Sequence, residues 1–299
     1  MIKFPVKYLP YFSCLVAALL WSSSFVALKL AFRAYDPMVV IFGRLFLASL
    51  LFLLFIHYFK GVKFRKQDIK YLILMAICEP CLFFIFEAKA LEFTSASQAG
   101  MVTSILPLMV AFLAWLFLKE RITAKTISGF LVAIVGVCVL SAGSEVTPNA
   151  PNAILGNFLE LVAMVMAASY TIILKRLSAH YPSLFLASMQ AFIGTVFYFP
   201  FLFLPETVLP NQLIWVPTIA VIFLGIFVTF GAYATFNYGI SLIPANQATA
   251  FINLIPVFAV IQGYLILNDQ LNSIQGIAII LVIIGVLISQ QSPIKKEAI

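Results

Sequence analysis

Apolar residues in this chain run continuously for about twenty positions at a time, and short polar clusters separate the runs. Five lie in the first half: Tyr8–Phe32, Met38–Phe59, Ile69–Leu91, Ser95–Leu118 and Lys125–Ala142. Gly143–Ala153 is a polar loop with two prolines and no basic residue, and five further runs follow at Ile154–Leu174, Ser183–Leu204, Ile214–Tyr238, Ala245–Leu267 and Ser273–Gln290. A run of roughly 20 residues crosses a bilayer as a helix. Lipid offers no partner to an unpaired backbone group, so helix is the conformation these runs predict. The expected fold is an all-α membrane protein with ten transmembrane helices. Its parts are an N-terminal tail (1–10), a first repeat (11–142), a linker (143–153), a second repeat (154–290) and a C-terminal tail (291–299).

The two halves are related. Shifted by 149 positions, Ala96, Gln98 and Ala99 fall on Ala245, Gln247 and Ala248, and Pro107 falls on Pro256. Further along, Leu116 and Leu118 meet Leu265 and Leu267, Glu120 meets Asp269, and Gly136-Val137 meets Gly285-Val286. With five spans in each half, the second copy must enter the membrane with the opposite orientation to the first. That is the inverted-repeat plan of secondary transporters.

Composition supports the membrane reading. The chain is 63% hydrophobic and 10% charged, against about a quarter charged in ordinary soluble domains. The net charge of +7 then becomes a matter of topology. With the N-terminus in the cytoplasm, that side receives Lys3, Lys7, Lys60, Lys63, Arg65, Lys66, Lys70, Lys119, Arg121, Lys125, Lys175, Arg176, Lys295 and Lys296, which are 14 of the 18 basic residues. Lys29 and Arg33 lie at the first outer turn, and Arg44 and Lys89 fall within spans. The positive-inside rule therefore predicts a multi-pass protein of the inner or plasma membrane with both termini cytoplasmic. Nucleic acid is not an expected partner; lipid and a small solute are. The four cysteines are scattered among apolar runs and form no disulfide framework.

Several marks resemble the EamA-type repeat of the drug/metabolite transporter superfamily. They are the junction from Ala90 to Ser97, Pro107, the stretch from Leu118 to Thr123, and Gly136-Val137. The second copy carries Tyr238 to Ala245, Pro256, Asn268-Asp269 and Gly285-Val286, and the first two spans add Trp21-Ser22-Ser23-Ser24-Phe25 and Gly43-Arg44-Leu45. The resemblance covers nearly the whole chain. It implies a ten-helix transporter whose cavity is lined by spans one, three, four, six, eight and nine, with five and ten peripheral. It also implies small polar substrates such as amino acids or nucleotide-linked sugars, with export common among bacterial members.

Charges inside spans are the candidate chemistry, because each costs about 2.5–3.5 kcal/mol or more at the bilayer centre and must face protein or a wet cavity. The third span holds Cys78-Glu79-Pro80-Cys81 near its middle, followed by Glu87 and Lys89. On a regular helix Glu79 and Glu87 lie about 80° and about 12 Å apart, so one cavity reaches both. Glu160 in the sixth span and Arg44 in the second complete the embedded set. Glu79 and Glu160 are candidates for proton coupling, and Glu79, Glu87 and Arg44 for substrate binding. The structural alternative is an interhelical ion pair, for example Arg44 with Glu79. Glu87, Lys89 and Glu92 approach the outer interface, where snorkelling accounts for charge. Trp21, Phe25, Tyr170, Tyr233, Phe236, Asn237, Tyr238 and Asn253 lie on the spans expected to line the cavity, and the two asparagines are favoured because their amides need partners in an apolar medium. Pro107 and Pro256 are paired hinge candidates, with a static kink as the alternative.

Other chemistries have weaker marks. Cys78-x-x-Cys81 lies in a membrane helix with no histidine nearby, so metal or redox use is not expected, nor is any cofactor. His57 and His180 read as interfacial. The chain has no nucleotide-binding loop, so a gradient must supply the energy. The alternative is an integral-membrane transferase, but the short loops hold neither a His-Glu-x-x-His nor a Gly-x-Ser-x-Gly arrangement. A signalling protein would need a soluble output domain, which the runs leave no room for.

Overall fold

A computed structural model describes residues 8–59, 61–118, 123–143, 146–243, 245–269 and 272–290. Both tails' basic residues, together with Lys60, Lys119, Glu120 and Arg121, lie outside the described residues.

The apolar runs are helical throughout. We label them α1 (Leu9–Phe32), α2 (Pro37–Leu53), α3 (Lys66–Phe93), α4 (Ala96–Phe117), α5 (Ala124–Ala142), α6 (Ala153–Leu177), α7 (Ser183–Phe203), α8 (Trp215–Leu242), α9 (Gln247–Leu267) and α10 (Ser273–Gln290). Among the described residues no strand is present. Seven of these helices are long and apolar enough to cross a membrane. The second, fifth and tenth runs are equally apolar but shorter, and α2 ends at Leu53, with Ile56–Phe59 continuing as a 3₁₀ turn instead of the predicted straight span. The chain is thus a multi-pass membrane protein.

Local sequence sets the helix ends. The Asp36 carboxylate accepts the Met38 N–H at 2.8 Å to start α2, with Pro37 in the first turn, where its missing N–H costs nothing. Ser95 caps α4 through the Gln98 N–H, and Asn152 caps α6 through the Leu155 N–H. Asn268 ends α9 in the left-handed region (φ 56°), which asparagine tolerates better than most residues. That turn swings Asp269 back onto the start of α4, where its carboxylate accepts from the Ser97 N–H (3.2 Å) and hydroxyl (3.0 Å).

The helices depart from regular α-geometry at matched places. A wide π-type turn occupies Ile77–Leu82 of α3, and the 149-residue shift carries it into a second, at Leu224–Ala232 of α8. A 3₁₀ turn at Thr103–Ile105 of α4 likewise falls on Phe251–Leu254 of α9. Pro107 and Pro256 each follow such a turn and sit in the first turn of the helical segment that resumes there. Each thus lies at a change of helix type within its span.

Contacts between halves follow the same shift. The α3–α6 pair exchanges with α8–α1, while α2–α7, α4–α9 and α5–α10 map onto themselves. Glycine permits the closest approaches. A Cβ on Gly136 of α5 would lie 2.9 Å from the Val282 backbone nitrogen, and one on Gly285 of α10 would lie 2.6 Å from that of Ala133. The α5–α10 pair stands at the edge, with Leu131, Val135, Ile277 and Ile280 exposed.

Candidate functional site

The wide turn of α3 places the first acid. Glu79 has extended backbone angles (φ −147°, ψ 116°) within an otherwise helical stretch, just ahead of Pro80. The regular-helix spacing of Glu79 and Glu87 therefore does not apply, although both still face one cavity. Backbone carbonyls released by the irregular turn find side-chain donors from α7. The Tyr198 hydroxyl donates to the Cys81 carbonyl at 2.6 Å, and the Gln190 amide donates to that of Glu79 at 3.3 Å. We expect Tyr198→Phe to cost about 1–3 kcal/mol by stranding a buried acceptor, seen as a lower melting temperature in detergent.

A cavity lies between the halves. Its charged lining is Arg44, Glu79 and Glu87; Trp21, Phe25, Phe83, Phe84, Tyr170, Tyr233 and Phe236 give it aromatic walls, and Ser24, Thr103 and Thr171 add hydroxyls. It draws on α1, α2, α3, α4, α6, α8 and α9, so α2 joins the six helices expected.

Arg44 is 1% exposed. Its Nε donates to the Thr229 hydroxyl at 2.8 Å, its guanidinium carbon lies 4.3 Å from the Phe84 ring centre, and Nη1 stands 3.9 Å from the Glu87 carboxylate. That last distance is too long for a hydrogen bond, and among the described residues Nη1 has no hydrogen-bond partner. Arg44 thus pairs loosely with Glu87, not with Glu79 as the structural alternative had it. Glu87, at 4% exposure, is no snorkelling residue; Lys89 and Glu92 do fit the interfacial reading, paired with each other at 3.0 Å on the surface.

Glu79 accepts a hydrogen bond from the Tyr233 hydroxyl across the cavity. Tyr233 packs edge-on against Trp21, with ring centres 5.5 Å apart, and Trp21 also touches Phe236 at 4.8 Å. Behind this wall the Asn237 amide lies 2.7 Å from the Tyr170 hydroxyl and 3.2 Å from Gln190 Oε1. Asn237 therefore supports the wall without lining the cavity.

Two candidates fall elsewhere. Tyr238 is next to Asn237 but rotated off the lining face. Asn253 sits in the 3₁₀ turn of α9, where Ile252 and Ile255 line the cavity instead; its Oδ1 is buried without a hydrogen-bond partner among the described residues. Glu160 is fully buried one turn from the lining residue Met164, but is not itself in the wall. Phe83, Phe84, Thr229 and Tyr198 carry site contacts that sequence reasoning did not single out. They carry no charge, and nothing in an apolar run distinguishes them. Cys78 and Cys81 are buried free thiols, and the described residues hold no cluster of three metal-ligating side chains.

The cavity's two ends differ. Where α3 finishes and α4 and α6 begin, the Thr94 hydroxyl donates to Asn157 Oδ1 (2.8 Å), and the Asn157 amide donates to Gln98 Oε1 (3.1 Å) and the Ser141 hydroxyl (3.0 Å). Gln98 is 4% exposed there. Its repeat counterpart Gln247, at the opposite end, is exposed and accepts one hydrogen bond from Tyr11 at 3.2 Å. The described residues thus bury a polar network at one end and leave its matched glutamine exposed at the other.

The family model described as the EamA-like transporter family matches residues 9–142 and 154–290. An "Uncharacterized transporter" of Archaeoglobus fulgidus is 30% identical over 84% of this chain and 88% of its own length. The "Uncharacterized transporter YetK" of Bacillus subtilis is 29% identical over 75% of this chain and 68% of its own. A protein crystal structure has a like fold, with TM-score 0.66 at 20% identity, covering 94% of this chain and 98% of that one.

Proposed function

Because this chain belongs to the EamA-like transporter family, we propose that it is a secondary transporter of small zwitterionic metabolites, amino acids or close relatives. Ten spans in two inverted repeats work by alternating access. The observation that carries the substrate class is Arg44 Nη1, buried without a hydrogen bond among the described residues inside a cavity that also presents Glu79 and Glu87. A substrate carboxylate satisfies that donor, and a carboxylate–guanidinium bond is among the stronger available in a low-dielectric site. The ammonium group goes to Glu79 or Glu87, and the aromatic walls take an apolar side chain and favour the cation. Pro107 and Pro256, at matched changes of helix type, are the hinges.

The basic residues favour an inner-membrane protein with cytoplasmic termini, which puts the buried Asn157 network at the outer end, where we read it as a seal. The end with the exposed Gln247 then faces the cytoplasm, a state ready to load an exported solute. The test is flux of labelled amino acids through proteoliposomes, with and without a pH gradient. Saturable movement, blocked by unlabelled amino acid, is expected; a protein that moves no solute under any gradient is not a transporter. In Glu79→Gln we expect at least a tenfold loss of affinity for the amine-bearing substrate, read as competition by unlabelled solute. An unchanged competition curve removes Glu79 from the binding site.

A further inference from the structure

The cavity leaves one acid unused. Glu160 of α6 is 0% exposed, and among the described residues neither of its carboxylate oxygens has a hydrogen-bond partner. A fully buried carboxyl group with no hydrogen bond is costly to keep in a membrane helix and marks a functional position. Its place in the fold gives it a use. Asn157, three residues earlier on α6, makes the sealing hydrogen bonds to Thr94, Gln98 and Ser141. Met164, four residues later, lines the cavity. Residues at these spacings share one helix face, so Glu160 lies directly between the seal and the cavity.

The groups around it are few. From α3, Glu87 acts on it electrostatically, and Glu87 is in turn the partner of Arg44 at 3.9 Å. Lys89 and Glu92, farther along α3, are paired with each other at the surface. The buried face of α4, from Ala96 to Leu106, carries no titratable side chain, and α5 contributes the Ser141 hydroxyl. The remaining cavity acid, Glu79, is held by Tyr233.

We propose that Glu160 is the proton-binding site of the transport cycle, coupled to the solute through Glu87 and Arg44. The proposal rests on the transporter reading. When the Asn157 seal is broken, water from that side reaches Glu160 and exchanges its proton. When the seal is closed, as here, the proton is shut off from that side. A substrate ammonium seated at Glu87, with its carboxylate on Arg44, brings a cation toward Glu160 and displaces its proton to water, so solute and proton are exchanged. Solute occupancy thereby sets the number of protons carried.

Two measurements on the full-length protein in liposomes test this. Infrared difference spectra across pH should show a buried carboxylic acid at neutral pH that is lost in Glu160→Gln and retained, shifted, in Glu160→Asp. If the wild-type acid band survives in Glu160→Gln, Glu160 does not hold the proton and the proposal is overturned. A pH-sensitive dye inside liposomes, read alongside labelled amino acids, should report proton movement opposite to solute in the wild type. In Glu160→Gln, proton movement and gradient-driven accumulation should both fall at least tenfold, and Glu160→Asp should restore part of each. Full gradient-driven accumulation in Glu160→Gln also overturns the proposal. A wild-type protein that moves no solute sinks the transporter reading and the coupling with it, while the infrared band still reports whether Glu160 is protonated.

Discussion

Arg44→Leu should abolish solute movement and destabilise the protein, while Arg44→Leu combined with Glu87→Gln should regain stability without regaining transport. The single change leaves Glu87 as an unpaired buried acid, and breaking one side of a buried ion pair costs about 3–5 kcal/mol. It also removes the donor to Thr229 and the cation above Phe84. The double change neutralises the stranded acid, so most of the stability returns. Flux does not, because no guanidinium remains to meet a substrate carboxylate. Melting in detergent measures the first effect and liposome flux the second. A single variant with wild-type melting would show that the 3.9 Å pair contributes little to stability. A double variant that transports normally would remove Arg44 from the site.

Gly156→Ala should open the sealed end. A Cβ at this position would lie 2.6 Å from Thr94 Cβ, 2.7 Å from the Thr94 nitrogen and 2.9 Å from the Ala90 carbonyl. Two of the three are backbone atoms and cannot step aside, so α6 must move off α3. Overpacking of this kind costs about 1–3 kcal/mol. The displaced helix carries Asn157, and its bonds to Thr94 and Gln98 stretch together. A Ser97→Cys reporter, in a Cys138→Ser background because Cys138 is exposed, reads the result. A membrane-impermeant maleimide should leave the reporter thiol unlabelled while Gly156 is in place. Adding Gly156→Ala should speed its labelling several-fold. Equal labelling in both backgrounds would separate the α3–α6 contact from closure.

How much of this is legible in the sequence varies with the physics of each feature. Arg44, Glu79, Glu87 and Glu160 stand out because charge is expensive in an apolar run, and all four are buried around one cavity. Their partners do not stand out. A regular helix is the only ruler that sequence offers for α3, and the wide turn at Glu79 breaks it, so the pairing of Arg44 with Glu87 is hidden. The same limit explains Tyr238 and Asn253. One residue along a helix turns the side chain by about 100°, and the irregular turns in α8 and α9 make the facing residue unreadable from spacing. Trp21, Phe25, Tyr170 and Tyr233 come through the family resemblance, whereas Phe83, Phe84 and Thr229 have nothing that distinguishes them in sequence. Asn268-Asp269 reads only as a repeat mark. Its work, a left-handed turn that delivers a carboxylate to another helix's first turn, needs the tertiary arrangement to be visible.

The order of partners along the chain bears on how the protein is made. Arg44 and Glu87 both belong to the first half, so the most costly pair of charges is complete before α6 leaves the ribosome. Glu79 waits longer. Its hydroxyl donor, Tyr233, arrives 154 residues later, and the Tyr198 and Gln190 groups that satisfy its irregular turn come with α7. A nascent chain halted after α5 therefore sits in the bilayer with its arginine neutralised and its α3 bend unsupported. That exposed bend is the feature a membrane quality-control protease would meet in a truncated product.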